Sequence, residues 1–302
     1  MDSPLVTVLL PMVLGVIMLG LGLSLSVTDF RRVAEYPRAV AVALGCQLLL
    51  LPAVCFGLVL AFGLTPGLAV GMMLLAASPG GTTANLYSHL FGGDVALNIT
   101  LTAVNSVLAV FTLPVIVNLS LAYFTEDAGA IGLRFGKTLQ VFAVVLVPVA
   151  VGMLIRARRP AFALRAHRPV RVLSVLMLIG IVSVAITAER EQIGGYLAEL
   201  GLILVVFSAI SMATGYSAVR LARAGHRQAV AACMEIGMHN SSLSITIALS
   251  PALLNSSEMA VPAALYGVLV YFTAAAAGFL LTRAAGPPWP APAGTDGRKD
   301  PV

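Results

Sequence analysis

Charge is scarce in this chain. Asp, Glu, Lys and Arg make up 10% of its 302 residues, too few to solvate the surface of a globular domain of that length. With 59% hydrophobic residues and a mean hydropathy of +0.97, that deficit excludes a soluble protein and leaves an integral membrane protein. Cysteine is nearly absent too. Cys46, Cys55 and Cys233 all fall within apolar segments, which argues against a disulfide or thiolate–metal framework and for buried free thiols. No basic run precedes the first apolar stretch, which is too long for the core of a signal peptide, so a retained span is expected there. Metal-ligand spacing, a continuous charged ring and a selectivity-filter motif are all missing, which weighs against a metalloenzyme and against a channel.

What is present is a series of long apolar stretches separated by short polar joints. A hydrocarbon core about 30 Å thick needs roughly 20 residues per helix. Nine spans are predicted, at about residues 4 to 28, 37 to 63, 66 to 91, 95 to 122, 134 to 155, 170 to 188, 195 to 221, 227 to 252 and 259 to 283. The fold class is all-α and polytopic. The net charge of +5 does not imply nucleic acid, because nine spans put the termini on opposite faces and the basic residues divide unequally between them. Arg134, Lys137 and Arg190 lie on the N-terminal face and the other fifteen Lys and Arg on the opposite one. The positive-inside rule then puts the N-terminus outside and the C-terminus in the cytoplasm. Sixteen of the eighteen basic residues are Arg, the mark of a GC-rich genome, so a bacterial inner membrane is expected. Residues 286–302, which lack periodic apolar positions, are expected to form a disordered cytoplasmic tail.

Two spans are interrupted at mid-length by small polar residues, Ser78-Pro79-Gly80-Gly81-Thr82-Thr83-Ala84-Asn85 and Glu235-Ile236-Gly237-Met238-His239-Asn240-Ser241-Ser242. Non-helical backbone at membrane depth survives only where it is buried in protein or lines a polar cavity. Such interruptions in both halves of a chain point to a transporter's midplane site. Spans one to four and six to nine share an order, with two plain spans, a broken span and a span containing proline (Pro114, Pro262). Matching spans run in opposite directions, and span five has no counterpart before span one. The pattern is an inverted repeat lacking its first helix.

Glu235 is the acid that no loop accommodates. An ionised carboxylate at mid-bilayer costs about 2.5 to 3.5 kcal/mol on insertion scales, and no Lys or Arg lies at similar depth, so a mobile cation is its simplest partner. Oxygen-bearing side chains gather at the same depth: Gln47, Thr82, Thr83, Asn85, Asn98, Thr102, Asn105 and Asn240. Asn98, Thr102 and Asn105 are spaced by four and three, so one helical face presents all three. Hard cations take such oxygens. The half-helices restarting near Thr82 and Asn240 offer free N–H groups and positive dipole ends to an anion.

With Gln47 and Pro52, Pro79-Gly80-Gly81-Thr82 and Asn85, Asp94-Val95-Ala96-Leu97, and Glu235-Ile236-Gly237-Met238 with Asn240, the chain resembles the bile acid:sodium symporters and their bacterial homologues. The resemblance runs to about residue 283. It implies two discontinuous helices crossing near the midplane within a core, against which a panel of other helices moves. The transmembrane unit is then 1–285, with the panel at about 4–28 and 134–188 and the core at about 37–122 and 195–283. It also implies a first sodium site at Ala84, Asn85, Asn98, Thr102 and Glu235, and a second at Gln47, Glu235, Ile236, Met238 and His239. Two departures stand out. Ala84 replaces a usual serine and removes a hydroxyl ligand, and His239 replaces a common glutamine with an imidazole, a poor sodium ligand.

The expected function is sodium-coupled import of an organic anion, a carboxylate or sulfonate, by alternating access. The anion is bile-acid-like or a small hydroxy or keto acid. Thr82, Thr83, Asn85, Asn240 and Ser241 are the expected substrate contacts, and sodium, two ions per cycle, is the expected cofactor, with no organic one. The bilayer is a partner, nucleic acid is not, and a monomer is compatible with the pattern. One alternative is proton coupling through Glu235 and His239. A remote one is an intramembrane enzyme using Ser241 or Ser242 near His239. Neighbours on one helix do not face each other, which disfavours it.

Overall fold

The computed structural model describes residues 4–125, 135–188, 193–251 and 253–284. The expected tail at 286–302 lies outside the described residues, as do Arg134 and Arg190 and the side chains of Lys137 and Thr82. Regular structure among the described residues is helical. It runs α1 Pro4–Ser24, α2 Val27–Arg31, α3 Pro37–Gly45, α4 Leu51–Phe62, α5 Pro66–Ala77, α6 Thr82–Leu90, α7 Val95–Phe124, α8 Phe135–Arg158, α9 Pro160–Ala188, α10 Ile193–Leu221, α11 His226–Gly237, α12 Ser241–Leu249 and α13 Val261–Ala284.

Local chemistry sets the joints. α3 and α4 form one rod through a π turn at Cys46–Leu50. Pro52 has no N–H and its ring crowds the preceding turn, so an α-helix cannot run through regularly, and the wider turn absorbs the misfit. Leu51 N–H accordingly reaches back to the Cys46 carbonyl, and Gln47 sits in the bulge. The rod ends on Gly63 at φ +63°. Here Leu64 N–H closes on the Val59 carbonyl at 3.4 Å, a turn that only a residue free to adopt left-handed backbone makes cheaply. Pro66 then opens α5 at a position where its missing N–H costs nothing. Asp94 starts α7 by accepting the Leu97 N–H at 3.1 Å.

Four described helices are long and apolar enough to cross a bilayer, at Pro37–Phe62, Val95–Phe124, Gly194–Leu221 and Glu258–Arg283. Pro66–Ala77 and Gly15–Ser24 are shorter apolar helices. At 1.5 Å per residue, twelve-residue α5 reaches only about 18 Å, so each half of a broken span falls short of a crossing alone. One boundary differs widely from expectation. α9 begins at Pro160, ten residues early, because hydropathy marks where the chain leaves lipid and not where its helix ends. Pro262 sits in the first turn of α13, where its missing N–H costs no helix bond, whereas Pro114 lies inside α7.

α1, α8 and α9 pack on one another, while α5, α7, α10, α11 and α13 pack together with α6 and α12; α1 touches α12 and α7 touches α8. α5 is buried from Leu68 through Ala77 and α11 from Ala229 through Gly237. Large apolar side chains face outward instead, among them Leu49, Leu119, Leu202 and Phe272. In water such a surface would aggregate; in lipid it is the solvated face. Cys46, Cys55 and Cys233 are buried and free.

Candidate functional site at the crossing of two broken helices

Pro79 ends α5, because a residue before proline is pushed out of the helical region. Ser78 is extended, with ψ 141°, and Gly81 continues the extended stretch before α6 restarts. In the second break Met238 leaves the helix, and the Asn240 side chain caps α12 by accepting the Leu243 N–H at 3.0 Å. The two gaps satisfy each other. Gly80 and His239 form an antiparallel bridge, and Asn240 N–H donates to the Pro79 carbonyl at 2.9 Å. Backbone groups that neither helix serves are thus paired between the halves of the chain.

Glu235, 2% exposed, lies one turn before this crossing. Its Oε2 accepts the Thr102 hydroxyl at 2.5 Å, and its Oε1 has no partner. The carboxylate rests on the Gly80 backbone so closely that a β-carbon there would fall 2.2 Å from Oε1 and 2.3 Å from Cδ. Only glycine fits. Asn98 donates its amide to the Ala231 carbonyl at 2.8 Å, which fixes the side chain and leaves Oδ1 free. Asn85 Oδ1 and Gln47 Oε1 are likewise buried and unpartnered. Gln47 Nε2 donates to the Ser78 carbonyl at 3.0 Å. The His239 ring stacks on Phe207 at 5.1 Å, with Nδ1 3.3 Å from the Ser78 carbonyl and 3.4 Å from Gln47 Nε2.

The expected residues therefore fall into groups. Gln47, Asn98, Thr102, Glu235 and His239 are buried around the crossing, and Ala84, Ile236 and Met238 are buried beside them with no side-chain oxygen to offer. Thr83, Asn85 and Asn240 are half-buried at the restarts of α6 and α12. Ser241 lies against α13, where a β-carbon at Gly267 would sit 3.2 Å from its Oγ. Several buried oxygens with unspent lone pairs thus lie on the elements that meet at or pack against the crossing, together with the Glu235 carboxylate. Among the described residues no three His, Cys, Asp or Glu side chains cluster.

Beside Pro79 opens a small cavity of about 20 Å³, room for about one water, walled by Met18 and Leu21 of α1, Val149 of α8, Leu243 and Ile247 of α12, and the α7 face from Ser106 to Pro114. It lies between the α1–α8 pair and the helices of the crossing. Three participants escaped the sequence reading: Gly80 as the seat of the carboxylate, Phe207 as the stacking partner of His239, and Ser106. The last was signalled, for it lies four residues after Thr102 on the same helical face.

The sequence profile of the sodium bile acid symporter family matches residues 11–196, more than half of the chain. The chain belongs to the sodium bile acid symporter family. It is 29% identical over 261 residues to an uncharacterised sodium-dependent transporter of Bacillus subtilis, covering 84% of this chain and 77% of that one. It is 29% identical over 241 residues to a probable chloroplastic sodium/metabolite cotransporter of Oryza sativa subsp. japonica, 78% of this chain and 55% of the other. Against the ileal sodium/bile acid cotransporter of Oryctolagus cuniculus identity is 25% over 250 residues, 81% and 70% of the two chains. As a member of this symporter family it is a multi-pass membrane transporter and not an enzyme. Residues 11–196 hold Gln47, Asn85, Asn98 and Thr102; the Glu235 half of the crossing lies beyond the profile's match but within the 84% of the chain aligned with the Bacillus subtilis transporter.

Proposed function

We propose that this protein imports an organic anion together with sodium by alternating access. The observation that carries this is the Glu235 carboxylate, buried at the crossing with Oε1 unpartnered and with the free oxygens of Asn85, Asn98 and Gln47 on the elements around it. In the first sodium site Asn85, Asn98, Thr102 and Glu235 supply side-chain oxygen, and Ala84 contributes backbone alone. In the second, Gln47 and Glu235 act with the backbone around Ile236, Met238 and His239. The His239 ring is engaged with Phe207 and Ser78, which supports a role through its carbonyl. Thr82, Thr83, Asn85, Asn240 and Ser241 are the proposed contacts of the anion, which the dipole ends of α6 and α12 attract. Two sodium ions, one substrate carboxylate and Glu235 sum to zero, so the loaded carrier turns over without a stranded charge. Each cycle moves one net positive charge inward, worth about 2.3 kcal/mol per 100 mV.

The chain crosses the membrane nine times as an inverted repeat, N-terminus outside, in a bacterial inner membrane. The transmembrane unit is 1–285. The panel comprises α1, α8 and α9 and the core α3 to α7 and α10 to α13, a division supported by their packing and by the cavity between them. The test is uptake of a panel of organic anions into proteoliposomes. With choline replacing sodium at constant pH, accumulation falls to the passive level, and a pH gradient at zero sodium does not restore it. Accumulation driven by pH alone overturns sodium coupling. Ala84→Ser returns a hydroxyl to the first site. It is expected to lower the sodium concentration for half-maximal uptake about fivefold, as a hydrogen-bond-strength contact of about 1 kcal/mol does.

A further inference from the structure

Hydroxyls on the buried helices mostly bond back into their own helix. Thr100 donates to the Ala96 carbonyl at 2.9 Å, Ser120 to Ile116 at 2.7 Å and Thr246 to Ser242 at 2.7 Å, whereas Ser106 Oγ has no partner. Tyr266 of α13 reaches across the fold instead. It is fully buried, and its hydroxyl donates to the Gly237 carbonyl at 2.5 Å. That carbonyl belongs to the last residue of α11, one of the groups that a helix end leaves without an internal donor. A side chain 29 positions later supplies one.

The same turn is held from the other side. A β-carbon at Gly237 would fall 2.2 Å from Met212 Cγ, so the end of α11 is pressed against α10. Met238 then leaves the helix, with φ −114° and ψ 78°. The His239 ring lies 5.6 Å from the Tyr266 ring and 5.1 Å from that of Phe207. Residues 237–239 are therefore held between α10 and α13, in the stretch that joins Glu235 to the Gly80–His239 bridge. Packing alone does not call for a hydroxyl here, since a phenylalanine ring fills the same space. The hydroxyl adds direction: a hydrogen bond to a carbonyl fixes the plane of its rigid peptide, and the flanking peptides follow through the shared α-carbons.

We propose that Tyr266 is a positioning residue for the second sodium site, whose hydroxyl holds the Gly237 carbonyl and thereby sets the directions of the Ile236 and Met238 carbonyls. This rests on the sodium-import reading and deepens it. The C-terminal carbonyls of α11 carry the negative end of its dipole. Without the hydroxyl, the Gly237 carbonyl is left buried and unpaired, and a nearby cation draws it out of the arrangement that its neighbours need. Tyr266 acts through the peptide and not by touching the ion.

The experiment uses the full-length protein. Sodium chloride is titrated against choline chloride, with binding followed by thermal shift in detergent and transport by uptake of the best-transported anion into proteoliposomes. Tyr266→Phe is expected to raise the half-saturating sodium concentration about fivefold in both assays. The maximal rate and the anion KM at saturating sodium stay within about twofold of wild type. Met212→Ala loosens the same turn from the α10 side but keeps the hydroxyl, and its sodium dependence stays within about twofold of wild type. An unchanged half-saturating sodium concentration in Tyr266→Phe, whatever its melting temperature, overturns the inference alone. A Tyr266→Phe protein that cannot be recovered folded assigns the hydroxyl to folding and overturns it too, and so does an equal rise in Met212→Ala, which assigns the effect to packing. A wild type that shows neither sodium-dependent stabilisation nor sodium-dependent uptake overturns the import reading itself, and the inference with it.

Discussion

Glu235→Gln abolishes sodium-stimulated uptake, leaving less than about a hundredth of the wild-type rate, and removes the sodium-dependent rise in thermal stability. A monovalent cation drawn from water to mid-bilayer loses hydration worth many kcal/mol, which neutral oxygens alone replace poorly and a fixed carboxylate replaces well. Gln keeps the volume and the hydrogen bond to Thr102 but not the charge. The fold survives, because substituting a neutral group for a buried ion relieves desolvation and does not add to it. Loss of uptake with an unchanged melting temperature in sodium-free buffer is therefore the expected pair of results. Full sodium dependence in Glu235→Gln, or in Glu235→Ala, would sink the ion-site assignment.

Gly80→Ala costs at least tenfold in uptake and lowers stability by about 1–3 kcal/mol, the range for an overpacked core. Its new β-carbon would stand 2.2, 2.3 and 2.6 Å from Oε1, Cδ and Oε2 of Glu235. Either the carboxylate leaves its seat or the bridge to His239 opens. Gly81 is the control, since a β-carbon there meets nothing within 4 Å and its φ of −111° suits any residue. Gly81→Ala is expected to keep the wild-type melting temperature and sodium dependence. Equal damage at the two glycines would show that chain flexibility, and not space beneath the carboxylate, is what Gly80 provides.

Much of this was legible in the chain because lipid leaves few choices. Hydropathy marked the four long apolar helices at Pro37–Phe62, Val95–Phe124, Gly194–Leu221 and Glu258–Arg283, and Pro79 with its two glycines marked a break that a bilayer tolerates only at a buried site. Glu235, Asn98 and Thr102 announced themselves by polarity at depth, and the i, i+4 spacing that placed Asn98 and Thr102 on one face is realised in their 3.0 Å contact. What stayed hidden depends on contacts across the fold. Nothing local in Gly80 says that a carboxylate 155 positions later will rest on it, nor in Phe207 that an imidazole will stack there. Ser106 was readable by spacing but looked like one more helix hydroxyl until its missing bond set it apart. Where within its span Pro262 falls was also not legible, because a proline in an apolar run has the same appearance within a helix as in its first turn.

The bridge between Gly80 and His239 also constrains the order of assembly. The two residues are separated by about 160 positions, which a ribosome working at about 5–20 residues per second takes roughly 8–32 s to translate. Throughout that interval the Pro79 carbonyl, whose partner is Asn240 N–H, lacks its native donor, and open backbone at membrane depth is costly. The first break must therefore be sheltered by water, by its own neighbours or by insertion machinery until the second arrives. Joining the two breaks closes a seam that neither half closes alone, and a chain truncated before Asn240 leaves the Pro79 carbonyl without its donor.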